Sequence, residues 1–213
     1  MLEAVRIAAK SALAPVLYRY PPFNLEPARL AFYITALLER AHLNADVAEV
    51  GCSAGGTAIV ARQALAVAGW KAQYTCFDTF SGFISEQYDK DAADGLDPAK
   101  RHMFSANSIG LVRKILKQHG CTDVRLVQGD ATKLRVQDLS NYSVVLSDID
   151  LAEPSYEVMK IFWPRLLPGG ILLCDDCVEN RSWLARDGYR KFCAEMQLRE
   201  EYHYGLGILR KPQ

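Results

Sequence analysis

The sequence predicts an open, doubly wound α/β domain: a mainly parallel seven-stranded sheet whose last strand runs antiparallel, preceded by an N-terminal helical cap. Three observations carry this. From Asp46 onward, short apolar runs alternate with helical segments, the pattern of a parallel sheet covered on both faces. Several of these runs end abruptly in glycine or aspartate. The last two runs flank Gly205 and Gly207 and read as an antiparallel hairpin.

The elements follow in order. Residues 1–18 and 26–43 read as two helices, separated by Tyr20-Pro21-Pro22-Phe23-Asn24, because a double proline cannot continue a helix. Val47 to Val50 is a short buried strand, followed by a glycine turn and a helix from about Gly56 to Ala68. Gln73 to Phe77 is the second strand. Residues 81–106 carry no clean period and are rich in Asp, Gly, Lys and Ser, which suits a functional loop or lid. Asn107 to His119 is helical, with Ile109, Val112, Ile115 and Leu116 on one face and Gly120 as its stop. Val124–Val127, Tyr142–Ser147 and Gly170–Cys174 are strands, with a helix over Pro154–Leu166 between the last two. Helix 182–195 precedes the terminal hairpin. The division expected is a helical cap over 1–45 and an α/β domain over 46–213 with its lid at 81–106.

The chain has 213 residues, half of them hydrophobic, enough for one domain with a real core. Lys+Arg and Asp+Glu both number 25, so no basic excess points to nucleic acid or anionic lipid. No apolar run is long enough to span a membrane. The first segment carries Glu3, Arg6 and Lys10 at spread positions, an amphipathic helix and not a signal peptide. The expectation is a cytoplasmic protein. Six cysteines sit mostly in apolar runs and read as reduced, buried thiols. Cys174-Asp-Asp-Cys177 has the CxxC spacing, but it lacks both a second ligand pair for zinc and a thioredoxin-like setting.

Two strands end in paired acids, Ser147-Asp148-Ile149-Asp150 and Cys174-Asp175-Asp176. If the strands are parallel neighbours, four carboxylates meet on one rim. Unpaired, they would repel, so a positive species is expected among them. Oxygen ligands alone suit a hard divalent cation such as Mg²⁺. The alternative is that these acids cap the helices that follow them. Upstream, Glu49-Val50-Gly51-Cys52-Ser53-Ala54-Gly55-Gly56 is a strand–turn–helix with little side-chain bulk, suited to a ligand at the sheet's carboxyl edge. It is neither the dinucleotide fingerprint nor a P-loop. The second strand ends in Asp78, where doubly wound folds hold a ribose diol. Gly129-Asp130-Ala131 puts another small acidic turn after the third strand.

Together these residues resemble a class I S-adenosylmethionine-dependent methyltransferase. Phe77-Asp78-Thr79-Phe80-Ser81-Gly82-Phe83, Asp148-x-Asp150-Leu151, Pro168-Gly169-Gly170 and Asp175-Asp176 resemble the macrocin-type (TylF) O-methyltransferases over roughly residues 46–195. That resemblance implies a Mg²⁺-dependent transfer of methyl to a hydroxyl of a sugar or other small polyhydroxylated natural product. It implies that Glu49, Gly51 and Gly55 line the methionine part of the cofactor, that Asp78 holds the ribose, and that Asp130 and Ala131 flank the adenine. Cys52, Ser53, Thr79 and Ser81 would be further cofactor-binding residues. Asp148, Asp175 and Asp176 would hold magnesium. Asp148, Asp150 and the lid residue His102 are the candidate bases. Catechol-type enzymes place a lysine three residues after the first aspartate, and here Leu151 stands instead. The expected partner is a small-molecule acceptor, with neither nucleic acid nor membrane. The amphipathic N-terminal helices are candidates for a homodimer contact. Tyr18, Tyr20 and Phe23 are candidates to roof the site, with plain helix packing as the alternative.

Three other readings compete. A glycosyltransferase would use Asp148-x-Asp150 as its metal–nucleotide motif, a dehydrogenase would need the missing dinucleotide fingerprint, and a non-catalytic binding protein would keep only the scaffold.

Overall fold

The computed structural model describes residues 2–179 and 182–213. Met1, where the first helix was expected to begin, lies outside the described residues. Seven strands form one sheet: β1 (Asp46–Val50), β2 (Tyr74–Asp78), β3 (Arg125–Gln128), β4 (Tyr142–Ser147), β5 (Leu166–Cys174), β6 (Tyr202–His203) and β7 (Leu206–Arg210). Their spatial order is β3-β2-β1-β4-β5-β7-β6. The first five are parallel to one another, and β7 runs antiparallel to both β5 and β6.

The strands are short apolar runs because both faces of the sheet are covered. On one face lie α3 (Pro27–Arg40), α4 (Gly56–Val67) and α6 (Ile109–Gln118), packing Tyr33, Leu37, Ile59, Leu65 and Ile115 against Val47, Val144, Leu146 and Ile171. On the other lie α7 (Ala152–Phe162) and α8 (Ala185–Glu195), packing Met159, Phe162, Tyr189 and Phe192 against Ala48, Val50, Val145 and Leu172. Alternation along β1 is strict: Val47 faces the first layer, Ala48 and Val50 the second.

The N-terminal segment divides into two kinds of structure. α3 carries core residues and completes one face of the sheet. By contrast, α1 (Leu2–Ala12) has no buried residue, and α2 (Ala14–Leu17) buries only Ala14. Lys10 Nζ ties α1 to the Ala106 carbonyl at 2.8 Å, and Lys114 does the same from α6 to Ser11.

Residues 81–106, expected to be irregular, contain α5 (Ser85–Ala93) and a 3₁₀ turn over Pro98–His102. The helix escapes sequence reading because Ser-Glu-Gln-Tyr-Asp-Lys-Asp has no apolar stripe. Tertiary bonds hold it instead: Tyr88 donates to the Asp97 carbonyl at 2.5 Å, and buried Asp91 accepts the Ala152 amide at 2.7 Å, capping α7 from outside.

Chain order reverses between β1 and β4, which are neighbours although β2 and β3 lie between them in sequence. Ladder bonds continue past the strand ends there. The Gly51 amide donates to the Phe77 carbonyl, Asp148 to Val50 and Asp175 to Ser147, each at 2.8 Å, and Gly129 donates to Asp78 at 2.9 Å. The residues that follow the strands therefore share one rim, at the switch point where doubly wound sheets bind ligands.

Candidate active site

A cavity of about 490 Å³ opens on this rim. That is the size range of small-molecule and cofactor pockets. One half is built by the glycine turn. Gly51 (φ 87°) lies against β4: a Cβ there would sit 1.9 Å from the Asp148 carbonyl oxygen. Ser53 is also left-handed, at φ 48°, and its amide donates to Asp78 Oδ2 at 2.9 Å. Asn107 Nδ2 holds the Ser53 carbonyl at 2.8 Å. Asp78 Oδ1 accepts the Phe80 amide at 2.7 Å, so the carboxylate is braced from two turns, with Cys52 also bonding to it. Burial still pushes Asp78 above the ordinary range, against these bonds. Asp130 Oδ1 accepts the Thr132 amide at 3.0 Å and hydroxyl at 2.7 Å, with Gln87 Nε2 at 3.3 Å. Burial alone would raise its pKa, but the bonds from Thr132 and Gln87 outweigh it and hold Asp130 low.

The other half is acidic. Carboxylate oxygens of Asp148, Asp150 and Asp176 all lie within 4.8 Å of one another, the one group among the described residues spaced to hold a metal ion. Asp150 and Asp176 occupy left-handed backbone, at φ 69° and 55°, which turns both acids back toward the cavity. Burial, then the neighbouring carboxylates, drive Asp148 and Asp150 well above the usual carboxylate range. Asp175 is raised to about 6 by burial and by Asp176, with Arg29 opposing. Three carboxylates this close fit a hard divalent cation by donor chemistry and by charge.

Several expected residues line the cavity: Gly51, Ser53, Asp78, Thr79, Asp130, Ala131, Asp148, Asp150, Asp175 and Asp176. The others fall elsewhere. Glu49 follows the parity of β1 and turns inward with Val47. It is 2 % exposed and accepts the Tyr74 hydroxyl at 2.5 Å, with Tyr33 bonded to Tyr74 at 2.8 Å. Burial drives its pKa up to about 8. Cys52 is buried in the same layer, and all six cysteines are free and buried. Gly55 caps α4 from just before its first residue, at φ 80°, where a Cβ would press on Val112 at 3.2 Å. Ser81 is exposed outside the cavity wall. His102 is exposed at the end of the 3₁₀ turn, where its carbonyl accepts from Ser105; it does not reach the acids in this conformation. Asp175, expected as a ligand, stands outside the trio and pairs with Arg29, while Asp150 takes the third place.

Three contributions were not read from sequence. Arg29 reaches from α3 to Asp175 and Asp176 at 2.8 and 2.9 Å. Phe83, Phe104 and Trp183 form an aromatic wall with ring centroids 5.4–6.4 Å apart. Trp183 is anchored to the acids, because the next amide, Leu184, donates to the Asp150 carbonyl at 2.9 Å. Gln87 and Asn107 brace the glycine-turn half through Asp130 and Ser53. Among these only the aromatics carried a signal, as large rings in polar surroundings.

Comparison with known proteins agrees with this geometry. The family described as "Methyltransferase domain" matches residues 48–177, more than half of the chain. No curated protein matches. Among solved structures, the O-methyltransferase NovP superposes with TM-score 0.76 at 18% identity, covering 100% of this chain and 98% of that one. The calicheamicin methyltransferase CalS11 gives 0.67 at 20% identity, covering 98% and 91%. An O-methyltransferase from Bacillus cereus in complex with SAH gives 0.55 at 12% identity, covering 98% and 89%. These likenesses are of fold. With the family match over the glycine turn, Asp78, Asp130 and both acid pairs, the chain belongs to the methyltransferase domain family and is an S-adenosylmethionine-dependent methyltransferase.

Proposed function

We propose that this enzyme is a Mg²⁺-dependent O-methyltransferase acting on a hydroxyl of a sugar or other small polyhydroxylated natural product. The observation that carries the reading is adjacency. Gly51 of the cofactor turn and Asp148 of the acid trio touch through their backbones, so donor and acceptor sites share one cavity. The macrocin-type resemblance supports the acceptor class. So does the name of one structure of similar fold, CalS11, described as a TDP-rhamnose 3'-O-methyltransferase (TM-score 0.62, 18% identity).

In this reading Asp78, on the cavity wall, holds the ribose diol, and Asp130 with Ala131 borders the adenine. Gly51 and Ser53 shape the methionine end. Asp148, Asp150 and Asp176 are the residues that would hold Mg²⁺; Asp175 completes the acid pair through Arg29. A bound Mg²⁺ would supply a positive charge that helps orient the acceptor and lowers the pKa of its hydroxyl. Methyl transfer leaves a neutral thioether and releases the hydroxyl proton. Asp150, on the cavity wall, is the candidate to accept it. The aromatic wall of Phe83, Phe104 and Trp183 would shield the sulfonium side of the cavity from water. A second copy packed on the N-terminal helices fits their exposed apolar side chains Leu2, Val5, Leu13 and Val16. Among the described residues no helix is long and apolar enough to cross a membrane.

The test is transfer of labelled methyl from S-adenosylmethionine to a panel of nucleotide sugars and glycosides. Label should enter a sugar hydroxyl and stop when a chelator is added. Transfer that persists with chelator present would remove magnesium from the mechanism.

A further inference from the structure

We propose that Arg29 is a resident counter-ion of the acidic rim: a positioning residue that stands in for the divalent cation when none is bound and loosens that cation's hold when one is. The proposal rests on the metal reading above.

Arg29 lies on α3, outside the strand-end turns that build the rest of the site, and is 6 % exposed. Its Nη1 is 2.8 Å from Asp175 Oδ1 and 2.9 Å from Asp176 Oδ1. Nε donates to the Tyr204 carbonyl at 3.0 Å, and Glu26 Oε2 stands 3.7 Å away. The β6–β7 turn closes over the guanidinium. Gly205, at φ 86°, has no room for a Cβ, which would meet Arg29 Nη2 at 2.9 Å and Val178 at 2.6 Å. The turn therefore packs against the guanidinium on one side, while the other side borders the cavity.

Asp176 belongs to both arrangements, as Arg29's partner and as a member of the trio spaced for a cation. Two positive species thus share one carboxylate. A buried acid pair with its partner removed is strongly destabilised, so Arg29 keeps the empty rim folded. The same fixed charge repels an incoming dication at short range in a poorly screened site. Lys100 adds a more distant positive charge acting on Asp150. The device makes metal binding weaker but leaves the ligands in place whether or not the ion is there.

The test compares the full-length protein with Arg29→Met and Arg29→Lys, using Mn²⁺ calorimetry and melting temperature with and without Mg²⁺. Arg29→Met should melt lower in chelator, bind Mn²⁺ about tenfold tighter or more, and gain more melting temperature from Mg²⁺ than wild type. Arg29→Lys, which keeps the charge but not the fork, should stay within about threefold of wild-type Mn²⁺ affinity. If Arg29→Met is unfolded in chelator, saturating Mg²⁺ should restore its native circular dichroism; failure to do so overturns the proposal. So does Mn²⁺ binding in Arg29→Met that is unchanged or weaker while wild type binds, since a purely packing arginine predicts that. Absence of Mn²⁺ binding by wild type would instead remove the metal reading itself, and this proposal with it.

Discussion

Replacing Glu49 with Gln isolates one buried titration. Glu49 is 2 % exposed and bonded to Tyr74, and burial lifts its pKa from 4.5 to about 8, with Asp78 adding and the Tyr74 bond opposing. The folded value lies above the unfolded one. Its contribution to stability is therefore complete below about pH 4.5 and is lost as pH rises through about 8. At about 1.4 kcal/mol for each pKa unit of separation, the loss across that window is on the order of 3–5 kcal/mol. Glutamine keeps an acceptor for the Tyr74 hydroxyl and does not titrate. Urea unfolding of both proteins at pH 5 and pH 8, in chelator, measures the difference; the repulsion Glu49 exerts on Asp148 is also lost in the variant and acts in the same direction. The stability of Glu49→Gln relative to wild type should improve by about 3–5 kcal/mol from pH 5 to pH 8. Parallel pH curves would show that Glu49 is not a buried proton carrier and that the inward orientation is wrong.

Gly51→Ala should fail on two counts. A Cβ placed 1.9 Å from the Asp148 carbonyl forces β1 and β4 apart, and φ 87° strains any L residue, so a loss of about 3 kcal/mol or more in urea unfolding, with loss of S-adenosylhomocysteine binding, is expected. Asp78→Asn keeps the shape but removes the charge and one of two braced oxygens. Calorimetry should show S-adenosylhomocysteine binding weakened by about 1.5–3 kcal/mol, roughly 10- to 100-fold; unchanged affinity would remove Asp78 from the ribose site.

The strands were legible because a sheet covered on both faces demands continuous apolar runs, and β1, β2, β4 and β5 have them. The acids at their ends were legible because a residue following a parallel strand has nowhere to go but the rim. Parity was the missed cue for Glu49: two residues after Val47 on β1, it shares Val47's face and points into the helix layer. The choice between Asp150 and Asp175 as third member of the trio was not readable. It depends on left-handed turns at Asp150 and Asp176 and on Arg29, 146 residues from Asp175 in the chain. Arg29 itself looks like any arginine on an amphipathic helix. The α5 helix was hidden because Tyr88 and Asp91 hold it through contacts to Asp97 and Ala152 and not through a hydrophobic stripe. His102 shows the converse: its proximity to Phe104-Ser105 in sequence did not place its ring in the cavity.

The central claim is that one rim holds a sulfonium cofactor and, beside it, a divalent cation. Calorimetric titration of wild type and Asp148→Asn with S-adenosylhomocysteine and, separately, with Mn²⁺ tests it directly. Wild type should bind both, and Asp148→Asn should keep S-adenosylhomocysteine while losing Mn²⁺ by at least about tenfold. Equal Mn²⁺ affinity in the two proteins, or no S-adenosylhomocysteine binding by wild type, would contradict the account.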